Sequence, residues 1–309
     1  MNYTYPYIAG TFLWSFLLPK YWFIWVSIGI LLVLALLPWA LQWRLAGILS
    51  KIAWKTLGSR RKTTLRNLHL CFPQKSSYQI ELDAKQIFFN GMLGYFEAIN
   101  SWYSPKWFAN RIHIDGLEHL KKHKGKGILL LGSHTTLLDA GGFVSSCFFN
   151  LDVVYRPQNN LLLNFLIIRG RSRVYQNQIP KNDMKELIKN LKQGHAIWYS
   201  PDQDFGLKQG VMAPFFNVPA ATLTAHRRLM KIADAVAIPL YFYRTGDIKN
   251  PQYHVLLEPA LDNFPSTDEL VDATRVNQIL ENQISMYPTQ YMWFHRRFKT
   301  RPPGEESLY

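Results

Sequence analysis

The hexapeptide His134-Thr135-Thr136-Leu137-Leu138-Asp139 holds the residue types best suited to chemistry, and it follows directly on the apolar run 127–132. An imidazole accepts a proton near neutral pH, and a carboxylate can orient the ring and stabilise its cation. Together they would make a general base able to activate a hydroxyl. Residues five apart on a helix point about 140° away from each other. His134 is therefore expected in a turn, with Asp139 one turn into the helix that follows. The spacing is common by chance, and a helix-capping or core histidine is the plain alternative.

Positioning such a pair calls for a strand ending in a turn. Strands are predicted at 127–132, 151–155, 195–200, 236–243 and 253–257, and helices at 79–102, 137–149, 161–170, 183–193, 221–234 and 267–286. This alternation predicts an α/β fold, a mixed but mostly parallel sheet flanked by helices. Sites in such folds form at the carboxyl edge of the strands.

Three further polar stretches fall near that edge or carry unusual charge. Arg156 begins RPQNN after a strand, and Arg169, Arg171 and Arg173 lie within RGRSR. Arginine suits phosphates and oxyanions through its planar fork, although a solvated basic loop is an equal reading. Asp202 and Asp204 lie in SPDQDFG after another strand; no third metal ligand stands at a helpful spacing, so turn-forming aspartates are expected. The stretch 291–299, YMWFHRRFK, interleaves aromatics with cations, as an interfacial or phosphate-binding surface would, or an edge strand with one solvated face.

The first half of the chain bears on where the chemistry happens. Residues 21–41 carry no charge, and as one helix they would span about 31 Å, enough to cross a bilayer. Trp22, Trp25, Trp39 and Trp43 stand where an interfacial belt would lie. A membrane anchor over 1–45, with a transmembrane helix at about 21–41, is expected, followed by a catalytic domain over 46–309. No acidic residue precedes Glu81, whereas Lys20, Arg44, Lys51, Lys55, Arg60, Arg61, Lys62, Arg66 and Lys75 do. The positive-inside tendency places the long C-terminal part in the cytoplasm, giving a single-pass membrane protein.

The net charge of +14 could also mean nucleic acid. No zinc spacing, helix-turn-helix pattern or RNA-binding aromatic signature supports that, so membrane phosphates and an acidic partner are the expected counterparts. Two cysteines, Cys71 and Cys147, make neither a disulfide framework nor a metal set. No metal is expected.

Several of these motifs occur together in one family. Arg66-Asn67-Leu68 with Cys71-Phe72-Pro73, Gly116-Leu117-Glu118-His119-Leu120, the strand entering His134, RPQNN from Arg156, GRSR from Gly170, WYSPDQDFG from Trp198, APFFNVPAAT from Ala213 and QYMWFHRRFKTRPPG from Gln290 stand in order along nearly the whole chain. The chain resembles the late, Kdo-dependent acyltransferases of lipid A biosynthesis, and within them the lauroyl type. Two departures stand out. Asp139 occupies a position where many members carry Glu, and Leu161 one where Pro is usual.

The resemblance implies a fold of the glycerol-phosphate acyltransferase type. It also implies transfer of an acyl chain from acyl carrier protein to a hydroxyacyl hydroxyl of the Kdo-bearing lipid A precursor, without any cofactor. It maps the catalytic pair onto His134 and Asp139, and Arg171 is the candidate for gripping an oxyanion or a lipid phosphate. A phospholipid acyltransferase acting on glycerol phosphates and a non-catalytic, membrane-tethered lipid-binding protein are the alternatives.

Overall fold

A computed structural model describes residues 11–309. The chain enters through two short 3-10 turns into α1 (Trp22–Ala35) and α2 (Trp39–Thr56), and here the expected transmembrane helix is corrected. The apolar run 21–41 is not one helix: α1 stops at Ala35, and α2 begins after Pro38. Proline lacks the amide a continuing helix needs and disfavours helical geometry in the residue before it. Buried Gln42 holds the break, its side-chain amide donating to the carbonyls of Ala35 and Leu37 and pairing with Asn100. With 14 residues, α1 is about 21 Å long, and no helix among the described residues is long and apolar enough to cross a membrane. Both helices still present bare apolar surface. Trp22, Phe23, Val26, Ile30 and Val33 on α1, and Leu41, Ile48, Leu49 and Ile52 on α2, are exposed at helical spacing.

The basic segment forms α3 (Gly58–Cys71), followed by the long α4 (Ser77–Tyr103), which Ser76 caps by accepting from the amide of Gln79. The division placed at 45/46 falls within α2, whose Ala46 is buried in a cluster with Leu93 and Phe96 of α4.

The rest alternates as expected: β1 (Ile112–Asp115), α5 (Leu117–Lys121), β2 (Ile128–Leu131), α6 (Leu138–Ser146), β3 (Leu151–Tyr155), α7 (Leu161–Arg171), β4 (Asn177–Pro180), α8 (Met184–Lys192) and β5 (Ala196–Tyr199). Then come β6 (Gly210–Phe215), β7 (Val218–Leu223), α9 (Ala225–Ala233), β8 (Val236–Thr245), β9 (Gln252–Leu257) and α10 (Glu269–Met286). Seven strands make one sheet in the order β1-β9-β8-β2-β5-β3-β4. All its neighbouring pairs are parallel except β8 with β9.

The central strand β2 is buried on both faces, which is why it reads as an unbroken apolar run. Leu129 and Leu131 join the core under α8, α9 and α10, while Ile128 and Leu130 join the one under α6. The helix predicted over 221–234 starts only at Ala225. Its leading residues are the end of β7, which forms a hairpin with β6. Phe216 and Asn217 both take positive φ in the two-residue turn, the backbone twist such hairpins prefer.

α9 also sets a pH limit on stability. His226 is fully buried with its ring stacked on Phe264. Burial lowers its pKa to about 4, assisted by Arg227 and opposed by Asp272 and Glu269. An unfolded histidine titrates near 6.5, so as pH falls from 6.5 toward 4 the unfolded chain takes up the proton first. Stability from this site is complete above that window and falls by about 3 kcal/mol across it. Urea midpoints measured across this range should slope less steeply in His226→Phe than in the parent, and an unchanged slope would exclude His226 as a source.

Candidate active site

Strand register brings the site together. β2 and β5 are parallel neighbours with Leu131 opposite Tyr199. The third residue beyond each is His134 and Asp202, so both emerge side by side at the carboxyl edge. His134 Nδ1 lies 2.5 Å from Asp202 Oδ1, and its backbone amide donates to Asp202 Oδ2 at 2.8 Å. One carboxylate therefore grips both the ring and the main chain of the histidine.

Ser200 Oγ donates to Asp202 Oδ1 at 2.6 Å and lies 2.9 Å from His134 Nδ1. On the other side of the ring, Gln203 Nε2 is 3.3 Å from His134 Nε2. Asp202 is completely buried, whereas the His134 side chain keeps a fifth of its surface open. Burial opposes ionisation of Asp202, but the His134 charge and hydrogen bond, His295 and the Ser200 hydroxyl outweigh it and hold its pKa well below the usual carboxylate range. An ionised Asp202 accepting from Nδ1–H leaves Nε2 as the ring atom that can take a proton.

The carboxylate assigned to His134 is thus corrected. Asp139 begins α6, and its side chain turns to Arg171, which donates from Nε at 2.8 Å and from Nη2 at 3.0 Å. The reason is the helical geometry already noted: from the first turn of α6, Asp139 points away from the turn that carries His134. Asp202 was read as a turn former and is instead the histidine's partner. Asp204 does fill the turn role, accepting from the amide of Gly206 and from both the amide and hydroxyl of Thr300.

Among the remaining arginines, Arg156 stands exposed one residue beyond β3, on the same sheet edge, and Arg169 is exposed near the end of α7. Arg173 donates to the Trp102 carbonyl and lies over the Tyr103 ring, on the end of α4.

The segment from Gln290 is no edge strand, and within 291–299 only Arg296 and Lys299 are exposed. It is an internal brace for the His134 turn. Met292 N donates to the His134 carbonyl, Thr136 N donates to the Gln290 carbonyl, and Thr135 bridges to Tyr291. Trp293, Arg297 and Phe298 are buried, and Asn67 of α3 donates to the carbonyls of Trp293 and His295. Gln290 in turn exchanges two hydrogen bonds with the backbone of Arg244 on β8. Gly94 lets α4 join this packing: a Cβ there would stand 2.1 Å from the Thr136 carbonyl oxygen.

His295 was not singled out from the sequence, yet its ring centroid lies 5.8 Å from that of His134. Burial, the His134 cation, Arg297 and Arg60 lower its pKa to about 4 against the pull of Asp202. At neutral pH it lies beside the dyad uncharged.

A parallel sheet edge that presents a histidine gripped by a buried aspartate has the geometry general-base chemistry would need. Comparison with known proteins gives that chemistry a family. The model for the bacterial lipid A biosynthesis acyltransferases matches residues 10–300, and the chain belongs to this family. It is 34% identical to a lipid A biosynthesis palmitoleoyltransferase of Escherichia coli, over 96% of this chain and 97% of that protein. It is 35% identical to a lipid A biosynthesis lauroyltransferase of the same organism, over 94% and 96% respectively. A solved 1-acyl-sn-glycerophosphate acyltransferase from Thermotoga maritima aligns over 78% of this chain and 99% of its own, at TM-score 0.35 and 10% identity, too distant a likeness to argue from.

Proposed function

We propose that this acyltransferase moves a fatty acyl chain, laurate in the first instance, from acyl carrier protein to a hydroxyacyl hydroxyl of the Kdo-bearing lipid A precursor. The observation that supports this most is the His134–Asp202 contact, with Nε2 turned away from the carboxylate. His134 Nε2 takes the proton of the acceptor hydroxyl while Asp202 holds Nδ1–H and stabilises the imidazolium, the division of labour of a triad carboxylate. The oxygen attacks the thioester carbonyl, the C–S bond breaks, and the imidazolium returns its proton to the departing thiolate. No acyl group rests on the protein at any step.

Asp139 holds the Arg171 guanidinium in a fork. We assign Arg171 to the developing oxyanion or to an acceptor phosphate. Lysine lacks the planar fork, so Arg171→Lys should lower kcat/KM by about 10 to 100-fold. Asp139→Asn should add little once Arg171→Lys is present, because both changes break the same pair. Full additivity in that cycle would separate their roles.

The exposed apolar faces of α1 and α2 suit shallow insertion at the cytoplasmic face of the inner membrane, where a lipid-borne acceptor is within reach. The net charge of +14 favours encounter with an acidic donor protein, an attraction that salt should weaken. Purified enzyme given lauroyl and palmitoleoyl carrier-protein thioesters, with the Kdo-bearing precursor or glycerol phosphates as acceptor, tests the proposal by mass spectrometry of the products. Acylated glycerol phosphate without acylated precursor would replace this reading with the phospholipid one.

A further inference from the structure

The start of α3 forms one wall of an open cavity of about 730 Å³ whose charged side chains are all cationic: Arg61, Lys62 and Arg66 from the helix and Arg296 from the segment that braces the site. No Asp or Glu side chain lines it, and among the described residues none of these four cations is paired with a carboxylate. Two are oriented by backbone instead, Arg61 donating to the Trp54 carbonyl and Arg66 to that of Leu308. Four like charges around one concavity repel each other unless an anion joins them, and guanidinium forks match phosphate oxygens in particular.

Two neighbours indicate which anion. Arg296 directly follows His295, which stands beside His134, and Arg60 ties α3 to the same segment through the Phe294 carbonyl. On its other flank, the exposed Ile52 of α2 and Leu57 just beyond it lead directly into the rim at Gly58. A ligand that reaches both the apolar helix face and the general base has lipid tails and a charged head. An acidic carrier protein would instead meet a cationic surface without needing apolar flanks.

We propose that this cavity binds a phosphate group on the sugar head of the glycolipid acceptor, anchoring the head while a hydroxyacyl arm reaches His134. The proposal rests on the acyltransferase reading for the identity of the lipid, but its test reads binding and does not require turnover. Full-length enzyme in detergent micelles is titrated with the phosphorylated glycolipid acceptor and with the same lipid after enzymatic dephosphorylation. Lys62→Gln and Arg296→Gln are compared singly and together, with exposed Lys124→Gln as a remote control and thermal melting as a check on folding.

Each cavity substitution should raise Kd for the phosphorylated lipid by about tenfold and the pair by about 100-fold, with a parallel rise in acceptor KM. Dephosphorylated lipid should bind the parent and the double variant equally weakly. Equal losses on both lipids, or no loss on either, overturn the site. So does a rise confined to the carrier-protein donor's KM, which would make the cavity a docking surface for that protein. Weaker flotation with acceptor-free anionic vesicles, matching the loss in Kd, would also overturn it in favour of a general membrane contact. Phosphate-dependent binding without acyl transfer would leave the site standing and defeat the acyltransferase reading alone.

Discussion

His134→Ala is expected to lower kcat by about 10² to 10⁴-fold, the range typical of a positioned general base. Only Nε2 of this ring lies away from the Asp202 carboxylate, so no neighbouring group inherits the role. The loss should appear in single-turnover measurements with saturating donor and acceptor, while acceptor binding changes little. The carbonyl and amide of residue 134 make the bonds to Met292 N and Asp202 Oδ2, and alanine preserves both. Near-normal transfer by the folded variant would remove His134 from the chemistry.

Asp202→Asn should cost about 10³-fold in kcat with the fold retained. An amide can present its NH₂ to Nδ1, which forces the proton onto Nε2 and leaves the base in the wrong tautomer. The loss also removes the negative charge that stabilises the imidazolium. Added to His134→Ala, Asp202→Asn should have almost no further effect, since both act through one ring. Against Arg171→Lys it should be close to additive, because Arg171 bonds to Asp139 instead. If Asp202→Asn were mild and Asp139→Asn were the change that failed to add to His134→Ala, the carboxylate that steers the base would be Asp139.

Much of the frame was legible from residue patterns. The strands containing Ile128–Leu131, Leu151–Tyr155 and Ala196–Tyr199 are mostly buried and, apart from Asp152, apolar or aromatic, so composition marks them. The helices α4, α7, α8 and α10 coincide with the runs predicted at 79–102, 161–170, 183–193 and 267–286, and in the fold the side chains of Ser76, Asn160, Asp183 and Asp268 cap them. The short edge strands β1 and β4 and the hairpin β6–β7 lacked such signals. The residues of β7, Val218–Leu223, include Pro and Ala and owe their state to pairing with β6.

The apolar run 21–41 misled because hydropathy does not register a break. Pro38 was visible in it, but the capping by Gln42 depends on a side chain buried against α4. Likewise, the closing segment is rich in cations and aromatics, and only packing makes Trp293 and Arg297 interior while leaving Arg296 outside.

Residue types and local spacing were enough to determine the α/β alternation, the basic character of the chain and the placing of His134 in a turn after a buried strand, and the resemblance carried by its motifs pointed to the family. Which carboxylate serves that histidine was decided by tertiary structure. Asp139 is five residues away and diverges around a helix, whereas Asp202 is 68 residues away and adjacent because β5 lies beside β2 in register. Local sequence sets the angle at which a side chain leaves its own element, but the neighbour it meets depends on strand order, which pairing and packing between distant segments establish.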